Sequence, residues 1–244
     1  MGILQAQNAE NPNPFSDLGR PPNRTHGGDR SSNGDLCLEE LVIALVPGSP
    51  VANCQATDNS RATDSESDLA QTVTESPAVW IFIPDNETFR SAPSAELVLL
   101  DDETGNLLWQ GLIESFHMLQ NQGIIRIPID HTLEPGRIYR WSFTITVDPD
   151  IFEQNPTVEG LIEYVPPTDD LVEKIDSLPS QPEQIDVIYT QYGIWHDALT
   201  LVGEQLSQDS ENVVLQTTWS DLLTSIGLGE LANVPIIDCC NPNL

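Results

Sequence analysis

Lysine is almost missing from this chain. Nine basic residues face 38 Asp and Glu, only Lys174 among the nine is lysine, and the net charge is −29. A surface of that sign repels phosphates, which argues against nucleic acids and anionic membranes as partners. No apolar run approaches the ~18–20 residues of a membrane-spanning helix. Aromatics make up only 6% of the residues and the hydrophobic share is 39%, so part of the chain is expected to stay unfolded. Cysteines number four, as the separated pair Cys37 and Cys54 and the adjacent pair Cys239 and Cys240. Neither pair has zinc-site spacing, and no histidine stands close enough to complete such a site. No cofactor motif is present. Also missing are the basic and apolar regions of an export signal: Met1-Gly2-Ile3-Leu4 has neither.

The acids that are there are not spread evenly. Residues 1–36 carry three Arg and four acids, residues 37–168 five Arg and 21 acids, and residues 169–244 one Lys and 13 acids. The first segment is rich in Asn, Pro, Gly and Ser and is read as a disordered tail, with Arg20, Arg24 and Arg30 on a solvated linker. From Leu41 onwards short apolar runs alternate with turn signals. Strands are expected at Leu41–Val46, Ala78–Ile83, Ala95–Leu100, from Leu107 to Gln110 with Ile113–Met118 continuing it or starting another, Gly123–Ile129, Tyr139–Val147 and Val158–Val165. Residues 52–72 read as a long loop. The clearest strand follows the Pro135-Gly136 turn: Tyr139, Trp141, Phe143, Ile145 and Val147 share one face, at the period of two of a half-buried strand. Its entry, Leu133-Glu134-Pro135-Gly136-Arg137-Ile138-Tyr139, looks like the tyrosine corner of immunoglobulin-like sandwiches. Residues 37–167 are therefore expected to form an immunoglobulin-like antiparallel β-sandwich.

After Pro166-Pro167 the spacing turns helical, and residues 168–244 read as a small C-terminal helical segment. Leu171, Val172, Ile175 and Leu178 mark one helix, and a second begins at Pro182. Gly193 interrupts the pattern, and Ile194, Trp195, Ala198, Leu199, Val202 and Leu206 make another apolar stripe. A last helix is expected from about Thr217 to Ile226, capped by Thr217 or Ser220 and stopped by Gly227. The run Ile188–Leu199 looks like one tetratricopeptide-type hairpin. It offers more aromatic surface than it can bury on itself; the sandwich is the nearer cover, because Pro166-Pro167 is short and stiff, and a partner protein is the alternative.

Several stretches, in order, resemble an uncharacterised family, a domain of unknown function found mainly in cyanobacteria. They are Arg20–Arg30, the Trp80–Pro84 strand, Ala95–Asp101, Leu133–Trp141, Val158–Ile162 and, most specific, Tyr192-Gly193-Ile194-Trp195-His196-Asp197-Ala198-Leu199. The resemblance covers about residues 19–237 and brings no catalytic residues with it. It implies an exported protein. Leu4–Ala9, small and polar, fits the tail of a cleaved signal, so a periplasmic or extracellular location is expected, with the cytoplasm as the alternative. In an oxidising compartment Cys37 and Cys54 would close a disulfide worth about 3 kcal/mol; otherwise they are unrelated thiols. Cys239 and Cys240, being vicinal, are expected in a frayed tail.

Convergent chemistry is hard to find. His196-Asp197 is the His–carboxylate neighbour pair on the helical hairpin, but adjacent helix positions do not face each other, so the pair is read as surface or interface. His26, His117 and His131 are scattered, with no nucleophile motif nearby. Asp101-Asp102-Glu103 suggests Ca²⁺ but lacks EF-hand spacing and is read as a solvated hairpin turn. Of the tryptophans, Trp80 and Trp141 sit in apolar strands, and Trp109, beside a hairpin, is the one expected to be exposed. These features point to a non-enzymatic protein-binding or adaptor module, with Trp109, Tyr192, Trp195 and His196 as candidate interaction residues. A carbohydrate- or cell-envelope-binding module is the alternative and a hydrolase a third reading.

Overall fold

The computed structural model describes residues 41–47, 69–114, 116, 122–151, 155–177 and 191–240. The expected N-terminal tail, Cys37 and Cys54, His26 and His117 and most of the helix from Pro182 lie outside the described residues, as do residues 188–190 at the start of the tetratricopeptide-like hairpin.

The alternating run after Pro135-Gly136 forms β7 (Ile138–Thr146), with Tyr139, Trp141, Phe143 and Ile145 buried and the residues between them less so. Its neighbours share the alternation. β4 (Ser94–Asp101) buries Ala95, Leu97 and Leu99, and β8 (Thr157–Tyr164) buries Val158, Ile162 and Tyr164. With β2 (Leu69–Thr72) and β5 (Leu107–Glu114) they form a five-stranded sheet in the order β2-β8-β7-β4-β5. One face of this sheet packs inward and the other is half-exposed and largely polar, carrying Glu96, Arg140, Ser142, Thr144 and Glu159. The tyrosine corner forms as expected: the Tyr139 hydroxyl accepts the Glu134 N–H at 2.7 Å. Gly136, at φ +72°, makes the turn before it.

The second sheet has four strands, β1 (Ile43–Ala44), β3 (Ala78–Ile83), β6 (Gly123–Pro128) and β9 (Ile236–Ile237), in the order β1-β3-β6-β9. All six residues of β3 are buried, because this sheet is covered on both faces. Val79, Ile81, Ile125 and Ile127 join the core shared with the five-stranded sheet. Ile43, Leu45, Trp80, Phe82 and Ile124 point the other way, into a second core made with the C-terminal helices. The result is a mainly β, sandwich-like body with a helical layer on one side.

That layer holds α3 (Trp195–Gln208) and α4 (Val213–Ser225); two shorter helices, α1 (Glu87–Arg90) and α2 (Asp169–Ser177), lie elsewhere along the chain. Gly193, at φ +69°, stops the chain before α3, and Gly227, at φ +79°, follows α4. Trp195, Leu199, Val202, Trp219 and Leu223 pack onto Trp80 and Phe82 of β3. Trp80 meets Trp219 edge-on, with centroids 5.7 Å apart, and its Nε1 donates to Thr200 at 3.0 Å. Gly203 lets the helix come this close, since a Cβ there would lie 2.5 Å from Cη2 of Trp80.

Several expectations need correction. Residues 69–72 are not loop: they pair in parallel with β8 and are held at the sheet edge by Leu161–Tyr164. β9 pairs in parallel with β6, so both sheets are mixed and not purely antiparallel, and the C-terminal segment supplies a strand as well as helices. The last helix starts four residues before Thr217, because the side chain of Asn212 accepts from the N–H groups of Val214 and Leu215 at 3.1 and 3.3 Å. Cys239 and Cys240 are disulfide-bonded to each other and pack, half-buried, against the core between the sheets; they are not a frayed tail.

Candidate functional site

The start of α3 meets the turn between β2 and β3, and a cleft of about 170 Å³ opens there. Its lining includes Thr72, Thr74, Arg126, His196, Asp197 and Glu204. The side chain of Asp197 is its anchor. One carboxylate oxygen accepts from the Thr72 hydroxyl at 2.7 Å and the Val73 N–H at 3.0 Å, and the other accepts from the Thr74 hydroxyl at 2.5 Å. Burial raises the Asp197 pKa, and the three hydrogen bonds oppose that rise. A carboxylate with three donors, contributed by residues 123 to 125 positions away, fastens the helical layer to the edge of the five-stranded sheet.

His196, expected on the surface or at an interface, is 1% exposed. Burial lowers its pKa to about 4, against a smaller opposing effect of a hydrogen bond with the Ala78 backbone. It is therefore neutral at pH 7. The Ala78 backbone is near enough to act on the ring, yet the buried Nε2 has no well-aligned partner. At the rim, Arg126 Nε lies 2.9 Å from a Glu204 carboxylate oxygen, an ion-pair distance without hydrogen-bond alignment. The cleft thus collects two titratable groups pushed in opposite directions, which is a signature worth testing for function. They do not form a relay: the hydroxyls of Thr72 and Thr74 give their protons to Asp197 and not to His196.

The other candidate residues fall elsewhere. Trp195 is fully buried and its Nε1 donates to the Leu45 carbonyl at 2.9 Å, so it is a bolt between helix and sheet and presents no interaction surface. Tyr192 is half-buried; its hydroxyl receives a bond from Lys174 Nζ at 2.7 Å and contacts Asp170, tying α2 to the segment before α3. Trp109 is half-buried against the inter-sheet core, so its ring does not stand free as a platform. Asp101, expected in a solvated turn, is buried: Thr104 donates to it through N–H and hydroxyl at 2.7 and 2.6 Å, and Arg137 pairs with it at 2.7 Å. Those bonds, Thr104 first, hold its pKa below the usual carboxylate value.

The chain belongs to a family of unknown function, described as Domain of Unknown Function (DUF928), whose model matches residues 25–236. No curated protein matches the chain. The matched span runs from before β1 to the first residue of β9, so the family's shared unit takes in both sheets and the helical layer.

The five-stranded sheet also ends in a feature that sequence reading passed over. β5 is an edge strand, paired only with β4 among the described residues. Leu107 is 56% and Leu112 46% exposed, and Leu107–Ile113 carries no charge and no proline. The signal was present as an uncharged apolar run; what was missing was its position at the sheet's rim.

Proposed function

We propose that this protein is a non-enzymatic protein-binding module that takes up an extended segment of its partner along β5. The observation that carries this reading is the edge of β5 from Trp109 to Ile113, uncharged, free of lysine and proline and in unbroken register with β4. Exposed sheet edges present unpaired N–H and C=O groups and are commonly blunted with lysine, proline, bulges or inward charges. Between Leu107 and Ile113 β5 has no lysine, proline or charge; its one irregularity is a bulge at Leu108, the extra residue opposite Leu99/Leu100, and Trp109–Ile113 pair with β4 in unbroken register. Strand addition supplies main-chain hydrogen bonds for affinity and side-chain contacts for specificity.

The cleft supports the same class of function, in that its carboxylate is fully engaged by donors and its hydroxyls serve that carboxylate. The test is Leu112→Lys, which puts a lysine on an exposed position of the edge and leaves both cores intact. Partner cross-links in the native host should map to β5 and disappear in the variant, with an unchanged circular dichroism spectrum. Cross-links that map elsewhere and survive Leu112→Lys refute the reading.

A further inference from the structure

We infer that the occupant of β5 is an extended segment of a different protein, apolar at alternate positions and carrying lysine or arginine at both ends. This rests on the strand-addition reading above and adds the chemistry of the partner.

The apolar part follows from register. Leu107 pairs with Leu100, Gln110 with Val98 and Leu112 with Glu96, which sets Leu107 and Leu112 on the half-exposed face of the sheet beside half-buried Val98 and Leu100. An added strand lays every second side chain along that strip. The basic ends follow from charge. Glu103, in the turn that leads into β5, and Glu114, at its far end, are both exposed, and neither is paired with a cation among the described residues. Nearby basic groups are engaged: Arg137 holds Asp101 and Glu134, and Arg140 holds Asp102. The edge is therefore neutral along its length and negative at each end.

The same charges argue against a second copy of this chain. Antiparallel pairing of β5 with β5 would bring Glu114 of each copy towards the Glu103 end of the other, and each copy carries a net charge of −29. Like charges set opposite one another select against that pairing.

The test uses the full chain and three probes: an eight-residue peptide alternating valine and threonine with lysine at both ends, the same peptide with glutamate at both ends, and the protein alone. Amide shifts on β4 and β5 should saturate with the lysine-ended peptide about tenfold more tightly than with the glutamate-ended one at low salt. The ratio should fall towards one at 1 M salt and in the double variant Glu103→Gln, Glu114→Gln, whose changed positions are exposed. Equal binding of both peptides, lost in Leu112→Lys, overturns the charge inference and leaves strand addition standing. Failure of both peptides, together with partner cross-links that ignore Leu112→Lys, overturns both. A dimer of the protein alone that Leu112→Lys dissociates makes a second copy the occupant and also overturns the inference.

Discussion

The two sheets of this protein live in different surroundings. In the five-stranded sheet, β4 and β7 alternate buried and half-exposed positions, because one face meets the core and the other meets water. In the four-stranded sheet, β3 is buried at every position, because the helical layer replaces water on its far side. The same backbone geometry thus carries a period-two pattern in one case and an unbroken apolar run in the other. The contrast explains why Trp141 and Trp80, both in apolar strands, have different neighbours: one lies between the sheets, the other under helix α3.

The strongest way to break the contrast is to remove the helical layer. Deleting residues 169–244 uncovers Trp80, Phe82, Ile124 and Leu45 and takes away β9. The two aromatic side chains alone forfeit about 3–6 kcal/mol of burial. The fragment should aggregate or fail to unfold cooperatively, as sedimentation and urea titration would show. A soluble fragment with an unchanged urea midpoint would mean that the helices do not stabilise the sheet.

The joint between the layers should also respond to acid. A histidine with a depressed folded-state pKa takes up its proton first in the unfolded chain. Full stability is therefore present above pH 6.5 and is lost as pH falls towards about 4. The loss attributable to His196 reaches about 3 kcal/mol at the lower end. Asp197, raised by burial, works in the opposite sense, its contribution fading as pH rises above 3.8. The difference between the wild type and His196→Gln isolates the histidine. Urea midpoints measured from pH 7 to pH 4 should fall more steeply for the wild type, and parallel profiles would show that His196 does not titrate as a buried group.

A smaller effect is expected at the closest approach of helix and sheet. Gly203→Ala drives a methyl group against the Trp80 ring and should cost about 1–3 kcal/mol, with altered near-ultraviolet dichroism from the shifted indole. An unaltered midpoint and spectrum would show that α3 can lift off without penalty. The smallest is in the other sheet, where Tyr139→Phe removes the hydroxyl that accepts from Glu134. A loss of about 0.5–1.5 kcal/mol in urea unfolding is expected, and none at all would deny the corner a stabilising role.

Strands β3 to β8 were legible because each is a run of five or more residues bounded by Pro, Gly or acidic turn residues, and the glycines at 193 and 227 marked helix limits for a steric reason. The two parallel pairings were not. Leu69–Thr72 and Ile236–Ile237 carry too few residues to show a period, and each is a strand only because a distant parallel partner satisfies its backbone. The start of α4 was misplaced because β-branched Val213 and Val214 weaken the helical signal that Asn212 restores by capping. The cleft was half-legible. His196-Asp197 stood out as a pair, but nothing local revealed that Thr72, Val73 and Thr74 would surround the carboxylate.

Composition and periodicity by themselves determined the acidic surface, the sandwich's central strands and the helical character of the C-terminal segment, since these follow from charge count, side-chain alternation and turn chemistry along the chain. Only the tertiary structure decided what covers the apolar stripe of α3 and how far burial extends around the helix. The packing of α3 on β3 buried His196, which a local reading had placed at a surface or interface, together with Trp195, which it had offered as a candidate interaction residue, and left β5 at the rim with its leucines exposed. The physical reason is that burial and edge position depend on contacts between residues far apart in sequence, and the local pattern of a segment is the same whether its neighbour is water, a sheet or a helix.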